Sequence, residues 1–167
     1  WHVLVPKTAG TSFFYAAARS GRGYVNTNLL ADAACDLRKV AAAVRVGTLG
    51  SAVISGHWRL SQFRDSMGPF DRVVTFVRDP LELCLSQFNY AADVVQGRSN
   101  VHVADPSWFL DRGLDPQNFT RTWERGFFRP NMQCACFSAE ATCEAALREL
   151  AACQADLLPH TAVDAAI

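Results

Sequence analysis

His2-Val-Leu-Val-Pro-Lys-Thr-Ala-Gly-Thr-Ser-Phe13 decides the fold of this chain. The apolar run His2–Val5 is too short for a core helix and reads as a strand. Pro6 ends it, and a turn of small residues follows. Thr11–Arg19, alanine-rich from Phe14 on, reads as the first helix. A strand, a tight loop and a helix N-terminus, in that order, form an anion site. Backbone N–H groups and the positive end of the helix dipole converge on the loop. Lys7 adds a mobile charge, and Thr8, Thr11 and Ser12 add hydroxyl donors. A Thr/Ser-rich turn that merely caps a helix would use the same residue types. The standard triphosphate loop instead places its lysine last, after a glycine. Here Lys7 comes first, so it enters from the strand side, where it can reach a bridging or leaving-group oxygen.

Outward from this loop, strands and helices alternate, which predicts an α/β fold with a mainly parallel sheet. Leu29–Val44 is helix-prone, and Ala52–Ser55 is a short strand running into Gly56-His57. Arg72–Val77 is β-branched and nearly continuous, as a buried strand should be. Pro80–Ala92 reads as a helix with Asp79 at its N-cap and Pro80 at its first position. Residues 97–130 carry turn residues at short spacing and read as a long, partly irregular segment. Ala139–Cys153 is a further helix and Ala155–Leu158 a late strand.

The 167 residues suffice for one domain spanning 1–167. No apolar run is long enough to cross a membrane. The chain opens on Trp1, the expected sign of a segment of a longer protein, whose leader or anchor would lie outside it. A net charge of zero argues against general nucleic-acid binding. Fourteen arginines accompany only Lys7 and Lys39, so a lysine in an anion loop stands out. Six cysteines without a CxxC pair, among scattered histidines, argue against a zinc site. Four of them crowd between Cys134 and Cys153. Cys136 and Cys143 could close a short loop in an oxidising compartment, or all could be buried thiols. Asn118-Phe119-Thr120 is a glycosylation sequon, informative only in a secreted protein.

Two further stretches carry chemistry. Arg78-Asp79-Pro80 follows the strongest strand, with Ser86 two turns into the helix, again a strand-to-helix switch at the ligand edge of a sheet. Arg78 can present a planar fork to a phosphate. Between the two loops lies Ser55-Gly56-His57-Trp58, where His57 suits a general base, histidine being the residue type whose ordinary titration lies near neutrality. His2, His102 and His160 have weaker claims, and Glu82 and Glu124 are the carboxylate alternatives.

Pro-Lys-Thr-x-Gly-Thr-Ser, then Gly-His, then Arg-Asp-Pro with a serine eight residues after the arginine, resembles the carbohydrate sulfotransferases. These enzymes use 3′-phosphoadenosine 5′-phosphosulfate (PAPS), and the likeness is greatest to the heparan-sulfate 2-O-sulfotransferase branch. It is strong over the first ninety residues and loose afterwards, where Asn131-Met132-Gln133 continues it. The resemblance implies a three-layer P-loop-like fold, with a central mainly parallel sheet flanked by helices. It implies sulfuryl transfer from PAPS, without a metal, to a hydroxyl of a glycan. Lys7 and His57 would be catalytic. Lys7, Thr8, Ala9, Gly10, Thr11 and Ser12 would hold the 5′-phosphosulfate, and Arg78 with Ser86 the 3′-phosphate. It also points to Cys136–Cys143 as the pair to test for a disulfide. The Golgi lumen is the expected location, with an anchor outside this segment; a bacterial cytoplasm is the alternative. Family members run longer, so the domain is expected to be truncated, without its adenine-side contacts. The rival readings are a P-loop-type nucleotide phosphotransferase and a non-catalytic domain that binds PAPS or its bisphosphate product. The phosphotransferase is disfavoured by the misplaced lysine and by the lack of an apolar run ending in Asp.

Overall fold

A computed structural model describes residues 1–3, 5–8, 10–27, 33–47, 52–64, 66–68, 71–99 and 105–162. In chain order the elements are β1 (His2–Val3), α1 (Gly10–Arg19), β2 (Gly23–Asn26), α2 (Ala33–Arg45), β3 (Ala52–Gly56), α3 (Leu60–Arg64) and β4 (Val74–Val77). They continue with α4 (Pro80–Val95), α5 (Pro106–Leu110), α6 (Phe119–Glu124), α7 (Met132–Phe137), α8 (Cys143–Ala152) and β5 (Asp156–Pro159). The chain divides into two compact units, Trp1–Val77 with Asn131–Ile167, and Arg78–Pro130. Among the described residues no helix is long and apolar enough to cross a membrane.

The first unit holds a five-stranded sheet in the order β2-β3-β1-β4-β5, and every pairing in it is parallel. The fold is therefore α/β, as the alternation of elements predicts. His2 and Val3 are successive strand residues, so their side chains leave the sheet on opposite faces. Val3 joins Ile54 and Val73 in a core closed by Leu37, Leu60, Phe63, Phe137, Ala146 and Leu150. Phe63 is fully buried, and removing so large a side chain costs about 3–5 kcal/mol. On the other face, His2, Phe13 of α1 and Phe76 of β4 pack in tilted and edge-on contacts, with ring centroids 4.4–5.5 Å apart.

Several boundaries differ from the sequence expectations. β1 stops before Val5 because the Val5 carbonyl accepts from the Thr8 amide at 3.3 Å and from its hydroxyl at 2.8 Å. That carbonyl closes a turn instead of a ladder. The helix expected from Leu29 is described from Ala33 to Arg45, and 29–32 lie outside the described residues. α8 starts at Cys143, not Ala139, because Thr142 caps it by accepting from the Ala145 amide. Ala139 and Glu140 instead lie in the turn before it, which ends on left-handed Ala141 (φ 54°). α4 runs on to Val95 and ends before Gly97, whose φ is +67°. β2, α3 and α7 are elements that the sequence does not announce.

The second unit is helical. Asp79 caps α4 with Pro80 in the first turn, as expected. The segment 97–130 contains α5 and α6, capped by Asp105 and Asn118. The sequon asparagine is thus a cap, accepting from the Arg121 amide at 2.9 Å. Ala91, Val94, Phe109 and Leu114 form this unit's own core.

The fully buried His2 ring makes acid sensitivity a property of the fold. Burial is the main cause that drives its pKa down to about 3, and His57 pushes the same way. The unfolded chain takes up a proton near pH 6.5 while the folded chain does not. Stability is therefore undiminished above that pH and falls as the pH drops toward 3. Between pH 6.5 and 5, where carboxylates stay mostly ionised, the loss should be roughly 1.5 kcal/mol. Urea denaturation at the two pH values measures it, and equal midpoints would refute the burial argument.

Candidate functional site

β1 is the middle strand of five, and its carboxyl end delivers the chain into the Pro6–Ser12 loop. Pro6 and Lys7 occupy the corner of a turn closed by the Thr8 amide on the Val5 carbonyl. Proline there with a positive φ at the next residue is the pattern of a type II turn, whose second corner favours glycine. Lys7 occupies that corner at φ 65°, with its side chain exposed. A lysine in the left-handed region costs about 1–2 kcal/mol, and such residues cluster at functional sites.

Thr8 is fully buried and both its amide and its hydroxyl donate to the Val5 carbonyl. Both of its donors are thus engaged within the loop. Ala9 lies outside the described residues. Gly10, Thr11 and Ser12 form the first turn of the ten-residue α1, where Thr11 and Ser12 are exposed. Amides of a first turn have no partner within the helix. No acidic residue stands in this turn to neutralise the dipole.

The neighbouring strand supplies the histidine. Gly56 ends β3 in register with Val3 of β1, so both strands leave the sheet at the same edge. His57 follows, exposed, held between two anchored residues. On one side Thr27 donates its hydroxyl to the Ser55 carbonyl at 2.8 Å. On the other the Trp58 indole N–H donates to the same Thr27 oxygen at 2.7 Å. Gly56 lies under this clamp: an added Cβ would come within 2.0 Å of the Thr27 hydroxyl and 2.5 Å of the Trp58 ring. The glycine of the Gly-His turn is thus needed for lack of volume.

Behind His57 is a buried polar group that sequence reasoning missed. His2 Nδ1 lies 2.9 Å from Ser55 Oγ, while its Nε2 has no hydrogen-bond partner among the described residues. Tyr24 also hydrogen-bonds Ser55, although burial still pushes its phenol up. Nothing in the local sequence marks these residues; the register His2↔Ser55 and the pairing of β2 with β3 bring them together.

The remaining expected residues belong to the second unit. Arg78, directly after β4, is one-quarter exposed and pairs with Glu82 at 3.3 Å. Ser86, half-buried on α4, continues the same four-residue spacing, so Arg78, Glu82 and Ser86 follow one helix face. Glu82 is thereby an arginine partner. Among the other histidines, His102 lies outside the described residues.

Comparison with protein-family models, with curated proteins and with solved structures found no match to this chain.

Two substitutions test the geometry. Gly56→Ala should cost roughly 1–3 kcal/mol by overpacking the Thr27–Trp58 clamp, and an unchanged urea midpoint would remove the clamp from the account. Lys7→Gly should leave stability unchanged or raise it by up to about 1 kcal/mol, since glycine relieves the left-handed strain. Marked destabilisation would mean that the lysine side chain holds the loop.

Proposed function

We propose that the chain transfers a sulfuryl group from PAPS to a hydroxyl, of a carbohydrate by resemblance, on a three-layer P-loop-like framework. The observation that carries this reading is the shared edge of the sheet. A strained, lysine-bearing turn leaves the central strand there and runs into a helix start without acidic residues. The next strand ends there in an exposed histidine on a fixed base. Ligands of open α/β sheets bind beyond the carboxyl ends of the strands, where the strand order reverses. Here the chain passes from β1 outward to β2 and back to β3, then crosses to β4 on the other side.

In this mechanism His57 accepts the proton of the attacking hydroxyl as its oxygen approaches sulfur in line. Lys7 and the amides of Gly10, Thr11 and Ser12 hold the 5′-phosphosulfate. They stabilise the charge that grows on the departing phosphate oxygen as the S–O bond breaks. Thr8 contributes by closing the turn that aims Lys7. Arg78 and Ser86 keep the role that the resemblance gives them, recognition of the 3′-phosphate, which distinguishes PAPS from ATP. Loss of Lys7 or His57 should slow transfer roughly 10²–10⁴-fold.

Calorimetric titration of adenosine 3′,5′-bisphosphate against ATP and AMP tests the class without knowledge of the acceptor. The 3′-phosphorylated ligand should bind best, and Arg78→Ala should abolish the preference. Glu82→Gln, which removes the carboxylate paired with Arg78, should tighten bisphosphate binding roughly two- to five-fold. Equal binding of all three nucleotides would reject a PAPS site, and magnesium-dependent ATP turnover would favour the phosphotransferase.

A further inference from the structure

The turn between α7 and α8 brings two thiols together. Cys134 Sγ lies 3.1 Å from Cys143 Sγ, across nine positions of sequence. Cys136 is directed elsewhere and donates to the Met132 carbonyl at 3.4 Å. The expected partnership of Cys136 with Cys143 is therefore replaced by that of Cys134. Local geometry produces the change. α7 ends at Phe137, Ala141 turns left-handed at φ 54°, and the Thr142 cap makes Cys143 the first residue of α8. Cys143 is exposed, whereas Cys134 is half-buried against the first unit's core. Burial first, and then the Cys143 thiol, push Cys134 up to about 11. Burial pushes Cys136 up to about 11 as well.

We propose that Cys134 and Cys143 form a redox-active dithiol, closed to an intramolecular disulfide by a small-molecule disulfide such as oxidised glutathione. The exposed Cys143 reacts first. Its thiolate attacks one glutathione sulfur, the glutathione S–S bond breaks, and one glutathione thiolate leaves. Cys134 then loses its proton and attacks Cys143 Sγ, forming the protein S–S bond. The second glutathione leaves and takes up that proton. Two cysteines are oxidised and one glutathione disulfide is reduced to two thiols. The order follows from access and thiolate supply, since a buried thiol of high pKa is a poor first nucleophile. Closure ties α7 to the start of α8, two helices whose Phe137, Ala146 and Leu150 build the first unit's core.

The full chain, treated with oxidised glutathione, alkylated and cut after glutamate, separates Cys134 and Cys136 from Cys143 at Glu140. Mass spectrometry with peptide fragmentation should find Cys134 joined to Cys143. Cys136→Ser should close at a rate within about twofold of the unaltered chain. Cys134→Ser should lose the cross-link and retain glutathione on Cys143. A bond mapped to Cys136, closure undiminished in Cys134→Ser, or no cross-link in the unaltered chain would each overturn the proposal.

Discussion

Strand β1 holds the sheet together. Among the described residues, His2 and Val3 alone join the β2–β3 half to the β4–β5 half, each pairing on both sides. Side chains reinforce these pairings. Thr75 donates its hydroxyl to the Val3 carbonyl at 2.8 Å, and His2 reaches Ser55. Trp1 extends the seam: its carbonyl accepts from the Val74 amide, its indole donates to Asp71, and its ring packs on Phe63. The carboxyl end of the strand also builds the site. The Val5 carbonyl bends the chain at Pro6, and that bend is the lysine loop.

The same seam explains why a histidine ring sits in the interior. A wholly apolar residue at position 2 would leave the Ser55 hydroxyl, which is buried, with fewer partners. His2 meets it with one nitrogen and fills the space between Phe13 and Phe76 with its ring, where aromatic contacts offset part of the cost. The other nitrogen finds no partner among the described residues, and the ring stays neutral. The polar layer formed by His2, Ser55, Tyr24 and Thr27 lies beneath the Gly56-His57 turn. The exposed histidine is presented from a base whose hydrogen bonds lock its neighbours.

What could be read from the chain follows the range of the interactions. Asp79-Pro80 announces α4 because capping and the first turn are local chemistry. Arg72–Val77 announces a buried strand because β-branched runs have few other uses. The Pro6–Ser12 loop and the Gly-His turn could be placed together because parallel pairing brings the carboxyl ends of β1 and β3 to one edge. β2, with only four residues, and α3 and α7, with five and six, are too short for periodicity to register. The Thr27–Trp58 bond spans 31 positions, and no local pattern encodes it. Thr8 was legible as a loop residue but not as a buried one. Cysteine pairing depended on one left-handed alanine, a conformation that its residue type disfavours.

The placement of β5 has a consequence for how the chain is made. β5 pairs with β4 in the register Val74↔Asp156, so the whole second unit is strung between two adjacent strands. During synthesis the helices of Arg78–Pro130, whose core contacts are all close in sequence, emerge complete before β5 exists. Until then β4 presents an open edge with a full row of unpaired amides and carbonyls, a template for strands of other chains. The last strand is therefore a seal as well as a sheet member, and a nascent chain stalled before Asp156 is the form most exposed to aggregation.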